Sequence, residues 1–149
     1  MIIDDNMRWM TKAIDQANYA LKKDEVPIGA VIVKDNKIIG KGYNQVESLK
    51  DSTAHAEILA ITSASDSLGD WRLNKSSLYV TKEPCLMCWG AIRNSRISNV
   101  YFGVNDEGLN FKTLQSKLDL NMPHLSLVEG GILEYDCKKI LQDFFLNKR

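Results

Sequence analysis

Two short patches, His55-Ala56-Glu57 and Pro84-Cys85-Leu86-Met87-Cys88, constrain this chain more than anything else in it. One histidine and two cysteines are ligands of the kind zinc takes, and they come from segments about thirty positions apart, so the fold has to bring both to one ion. A structural zinc site is closed by four protein ligands, whereas a working one keeps a position open for water. Here the set stops at three, and a carboxylate, Glu57, is left over. His55, Cys85 and Cys88 are therefore the expected ligands of one zinc per chain, and hydrolysis is the expected chemistry.

The bulk of the sequence suits such a protein. The 149 residues are 44% hydrophobic and 26% charged, with three prolines and no low-complexity tract, which predicts a single domain over 1–149. Met1-Ile2-Ile3-Asp4-Asp5 is acidic where a signal peptide is basic. The longest apolar run, Ile28 to Val33, is far shorter than a bilayer span, so no membrane segment and a cytoplasmic location are expected. In a reducing compartment a close cysteine pair is better read as metal-binding than as a bridge. A redox pair or two core thiols is the plainer reading of Cys85 and Cys88, and the Pro-Cys helix start with His-x-Glu upstream weighs against it. Cys137 falls on a helical pattern and reads as core. Lys plus Arg and Asp plus Glu balance at 19 each, so the chain has no overall basic footprint for nucleic acid.

Periodicity gives the element order. Met10, Ala13, Ile14, Ala17 and Leu21 predict an amphipathic helix over the first twenty or so residues. Ile28 to Val33 and Ile38 to Gly42, with Lys34-Asp35-Asn36-Lys37 between them, predict a β-hairpin. Asp51-Ser52-Thr53 offers caps for a helix from Ala54 to about Ser65, and Leu78-Tyr79-Val80-Thr81 reads as a strand leading into a helix from about Cys85 to Asn94. Val100 to Val104 and Leu125 to Val128 are further strands, and Cys137, Ile140, Leu141, Phe144 and Phe145 mark a last helix. The alternation predicts an α/β fold, a three-layer α/β/α sandwich around a mixed five-stranded sheet.

Cys85 and Cys88, at i and i+3 in the first turn of a helix, can reach one ion, and the helix N-terminus favours their thiolates. His55 and Glu57 are harder to place, because residues two apart on a helix point about 200° away from each other. An ion lying off the N-terminal end of that helix resolves the conflict, which predicts a site where two helix N-termini converge. Zinc lowers the pKa of its water, and Glu57 is the base that takes the proton. The acid so formed can return the proton to a leaving group of the substrate.

His-x-Glu followed by Pro-Cys-x-x-Cys is the signature of zinc nucleobase deaminases, and from it outward the chain resembles the cytidine and deoxycytidylate deaminase-like superfamily. It is most similar to the bacterial tRNA adenosine deaminases, which convert the wobble adenosine to inosine. Val26 to Val33, Thr53 to Glu57, Trp71-Arg72-Leu73, Leu78 to Thr81, Glu83 to Cys88 and Asp143-Phe144-Phe145 carry the resemblance, over nearly the whole length. It implies that Asn44 hydrogen-bonds the substrate, that the backbone of Ala56 contacts the base, and that Asp106 sits at the nucleic-acid mouth of the pocket. It also implies a homodimer whose neighbouring chain helps wall the pocket, with Trp89 and Arg93 as interface residues, Trp89 being otherwise core.

Two departures concern substrate. Glu107-Gly108-Leu109-Asn110-Phe111-Lys112 stands where the family carries small residues, and Trp89 follows the second cysteine where a small residue is commoner. Free-base deaminases for guanine or cytosine share the zinc motif, so a small nucleobase is the second reading beside a tRNA anticodon loop. A zinc-stabilised partner subunit without activity is a third, against which Glu57 argues. For an RNA substrate, Arg93, Arg96, Lys138, Lys139, Lys148 and Arg149 are the candidate phosphate contacts.

Overall fold

The computed structural model describes residues 4–118 and 120–148. Helix α1 (Asp5–Lys22) is capped by Asp4, whose carboxylate accepts from the Met7 N–H at 2.8 Å, and it buries Trp9, Met10, Ala13, Ala17 and Ala20 along one side. Strands β1 (Gly29–Lys34) and β2 (Lys37–Tyr43) form the expected hairpin. Its turn residues Asp35 and Asn36 both take positive φ, 51° and 60°, as a two-residue hairpin turn demands and as Asp and Asn tolerate.

Beyond the hairpin come α2 (Val46–Leu49), α3 (Ala56–Leu68), β3 (Ser77–Lys82), α4 (Leu86–Ser95), β4 (Asn99–Val104), α5 (Phe111–Leu118), β5 (Leu127–Glu129) and α6 (Glu134–Leu146). The sheet order is β2-β1-β3-β4-β5, with β1 antiparallel to both neighbours and β3, β4 and β5 parallel. Alternation along the strands builds two cores. Ala30, Ile32, Leu78, Val80, Val100 and Phe102 meet Ala56, Ala60 and Ala64 of α3 and Trp89 and Ile92 of α4. Val31, Val33 and Tyr79 meet Trp9, Met10 and Ala13 of α1 and Cys137 of α6 on the other face. The layers and the mixed sheet are those expected, and Cys137 is core.

Several details differ from the sequence reading. The segment between β4 and β5, read as a loop, contains α5, because Asn110 accepts from the Thr113 N–H and hydroxyl at 2.8 and 2.7 Å and starts a helix there. Asp51 spends its carboxylate on the N–H and hydroxyl of Thr53, at 2.9 and 2.7 Å, so α3 begins two residues later than expected, with His55 in the cap position. The last strand is shorter and shifted, Leu127–Glu129 in place of Leu125 to Val128. Trp89 is fully buried in the core cluster, which removes it from any interface.

Candidate metal and active site

Close packing fixes where α3 starts. Gly40 and Gly42 of β2 lie directly under its backbone. A Cβ at Gly40 would come within 2.5 Å of the Ala60 carbonyl, and one at Gly42 would strike the Ala56 carbonyl and meet the Ala60 nitrogen at 2.5 Å. With alanine at 56, 60 and 64 facing those glycines, helix and strand approach more closely than larger side chains would allow. His55 and Glu57 are thereby held at the end of β2.

His55 is the cap residue of α3 and Cys85 that of α4, and neither side chain makes a capping hydrogen bond. Both are free to point off their helix ends to a common centre. The His55 Nδ1 lies 3.6 Å from the Sγ of Cys85 and 3.6 Å from that of Cys88. Zinc bonds of about 2.0–2.1 Å to nitrogen and about 2.3 Å to sulfur, at a tetrahedral angle, separate N and S by about 3.6 Å. The trio therefore fits zinc in distance as well as in donor type, with all three ligand atoms within 4.8 Å of one another.

The charges agree with a dication. The Cys85 thiol is brought down to about 5, chiefly by the hydrogen bond from Cys88, against its own burial and with help from His55. Cys88 is pushed up by giving that bond and by burial near Glu57. Two thiols sharing one proton become two thiolates only beside a cation. Glu57, in the first turn of α3, is 4% exposed. Burial pushes its carboxyl above the ordinary value, its own N–H pulls the other way, and the Cys85 charge adds to the rise. Such a carboxyl is suited to taking a proton and giving it back.

His55, Glu57 and Cys85 line a cavity of about 770 Å³, shared with Asn44, Ala56 and Asp106. Cys88 is buried beside them. The Asn44 amide donates to the Val26 carbonyl at 3.2 Å and accepts from the Val46 N–H at 3.3 Å, which leaves one N–H and one lone pair to spare. Ala56 opens α3, so its N–H has no partner within the helix. Asp106 lines the cavity, while its carboxylate accepts from the N–H groups of Gly108 and Leu109 at 2.9 and 3.1 Å and faces the Lys82 ammonium at 3.8 Å.

Two buried acids of this cavity escaped the sequence reading. Glu25 accepts from the Glu47 N–H at 3.0 Å and from the Ser48 N–H and hydroxyl at 2.6 and 2.5 Å, holding α2 in place. Glu83 accepts from the N–H of Asp106 at 3.0 Å and of Phe111 at 2.5 Å, so it grips the loop at both ends beside the ligand turn. Their partners lie 22 to 28 residues away, beyond the reach of any local pattern.

The candidate phosphate contacts do not share one mouth. Lys148 lines the cavity and pairs with Asp24 at 2.6 Å. Arg93 donates to the Asn121 carbonyl at 2.6 Å and Arg96 covers the Trp71 ring, both at the end of α4 away from Cys85. Lys139 pairs with Asp143, Lys138 borders a neighbouring groove, and Arg149 lies outside the described residues. Lys23 and Lys82, not singled out in the sequence, line the cavity instead.

The deaminase family described as MafB19-like deaminase matches residues 4–149. A tRNA-specific adenosine deaminase of Buchnera aphidicola subsp. Schizaphis graminum is 45% identical over 142 residues, 95% of this chain and 94% of that protein. A solved structure from work on A-to-I editing by tRNA:A34 deaminases superposes with a TM-score of 0.80 at 38% identity, over 90% of this chain and 99% of the other. The guanine deaminase of Bacillus subtilis superposes with a TM-score of 0.65 at 32% identity, over 80% and 79%.

Proposed function

Because the chain belongs to the MafB19-like deaminase family, together with the tRNA-specific adenosine deaminases, we propose that it hydrolyses the exocyclic amine of the wobble adenosine in a tRNA anticodon loop, leaving inosine and ammonia. The observation that carries this reading is a zinc-sized His55, Cys85, Cys88 trio opening, with the buried Glu57, into a cavity of ligand size. His55, Cys85 and Cys88 would hold zinc, which when bound supplies an acidified water at the open coordination position. Glu57 would take a proton from the attacking water and pass it to the ring nitrogen beside the amine-bearing carbon, which becomes electrophilic and is attacked by the water oxygen. Glu57, a carboxylate again, then collects the proton left on the attacking oxygen and gives it to the departing amine, so one water is consumed for each ammonia released. On this reading Asn44 and the Ala56 N–H hold the base and Asp106 stands at the mouth, which their shared lining of the cavity supports.

The same reading takes 1–149 as one deaminase domain that works as a homodimer. Leu86 and Met87, 45% and 37% exposed in the turn between the two cysteines, support a partner there. A cytoplasmic location accords with three free cysteines, and among the described residues no helix is long and apolar enough to cross a membrane. Ammonia release from an anticodon stem-loop, compared with free adenine, guanine and cytosine, tests the substrate, with zinc analysis expected to give one ion per chain. Turnover of free guanine with none of the stem-loop would overturn the tRNA reading in favour of the free-base one.

A further inference from the structure

Tyr19 stands in the last turns of α1 and Tyr43 ends β2, immediately before Asn44 of the cavity. Their rings lie 6.0 Å apart at 39°, and Tyr19 keeps half of its surface in water. Lys22 places its ammonium 5.7 Å from the Tyr19 ring, and Lys23, itself lining the cavity, places its own 5.4 Å from the Tyr43 ring. The acids of the same turn are engaged elsewhere, Asp24 with Lys148 and Glu25 with Glu47 and Ser48. Among the described residues neither Lys22 nor Lys23 is in an ion pair.

We infer that Tyr19, Tyr43, Lys22 and Lys23 form a shelf that receives the RNA nucleotides flanking the base in the pocket, an inference that rests on the tRNA reading above. Proteins that hold single-stranded nucleic acid combine aromatic faces, on which bases stack, with cations that follow the backbone. An anticodon loop offers unstacked bases of this kind. With a net charge of zero the chain has no general attraction for RNA, so its grip on the strand comes from short-range features beside the pocket. The shelf is such a feature. It is continuous with the cavity through Tyr43-Asn44 and Lys23, so a nucleotide next to the bound base reaches it directly.

The test is binding of a labelled anticodon stem-loop to the full-length, zinc-loaded protein, followed by fluorescence anisotropy across a salt series. Tyr19→Ala should weaken Kd about tenfold, and Tyr19→Phe, which keeps the ring, should stay near wild type. The double variant Lys22→Ser, Lys23→Ser should flatten the slope of log Kd against log salt by about 1.4 for two lost phosphate contacts. A Kd and slope unmoved by these changes overturn the shelf, as does a tyrosine effect seen only as a lower melting temperature. A wild-type protein that binds the stem-loop through the shelf without deaminating it overturns the wobble reading and leaves the shelf standing. No binding at all overturns both.

Discussion

The indole of Trp89 lies 4.4 Å, centroid to centroid, from the ring of Phe111, tilted by 41°. Trp89 and the segment 107–112 are the two departures read in the sequence, and in the structure they meet in one contact. It ties the turn that carries Cys88 to the start of α5, across the same loop that Glu83 grips.

Phe111→Ala should lower stability by about 2 kcal/mol in urea unfolding, less than the roughly 3–5 kcal/mol of a fully buried phenylalanine because the ring is only partly buried. Trp89→Ala should cost about 4 kcal/mol. Trp89→Phe should cost clearly less, because the Trp89 Nε1–H has no hydrogen-bond partner among the described residues and its removal loses no bond. Equal costs for the two Trp89 variants would contradict this account.

Glu57→Gln fills the same buried space but accepts no proton. Zinc content and melting temperature should stay near wild type while kcat falls by roughly 10²–10⁴-fold in single-turnover measurements. Near-normal turnover by the purified variant would take the carboxyl out of the mechanism.

Glu25 gives a pH dependence with a definite sign. Burial would raise its carboxyl, but the hydrogen bonds from Ser48 and Glu47 outweigh that and hold it below the ordinary value of 4.5. A carboxylate depressed on folding stabilises the protein fully above that value, and the contribution is lost as pH falls through the folded value. The urea midpoint of the wild type should therefore drop more steeply below pH 4.5 than that of Glu25→Gln, whose side chain does not titrate. Parallel curves for the two proteins would show that the α2 clasp carries no pH-dependent stability.

Gly42→Ala should be among the costliest single-methyl additions in the chain. The new Cβ meets backbone of α3, which has no rotamer to yield, so a loss of about 3 kcal/mol is expected, with zinc affinity weakened because His55 moves with the helix end. Calorimetry and metal titration of the same sample check both parts.

The grouping of His55 with Cys85 and Cys88 and the hairpin were legible because each rests on short local motifs, His-x-Glu, Cys-x-x-Cys and an Asp-Asn turn. Even the convergence of two helix ends followed from the spacing of His55 and Glu57. Glu25 and Glu83 were not legible, since an acid next to a helix end or a proline looks like surface until its distant N–H partners are known. Trp89 was left between interface and core because nothing local announces that Phe111 and the start of α5 lie over it. For the basic residues, helix length decides: Arg93 and Arg96 share α4 with the ligand turn but occupy its far end.

The two free cap positions have a bearing on how this protein can change. Asp4 caps α1 in the ordinary way, whereas His55 and Cys85 hold the corresponding places on α3 and α4 without capping them. Serine, threonine, asparagine or aspartate there would be worth about 1 kcal/mol each. A library of the metal-stripped protein sorted for heat resistance alone would therefore enrich those residues at 55 and 85, whereas with zinc present the binding energy of the ion opposes the exchange. A histidine and a cysteine at these two helix starts serve metal binding at the expense of capping, so laboratory evolution of this scaffold has to hold both positions fixed or screen with zinc bound in every round.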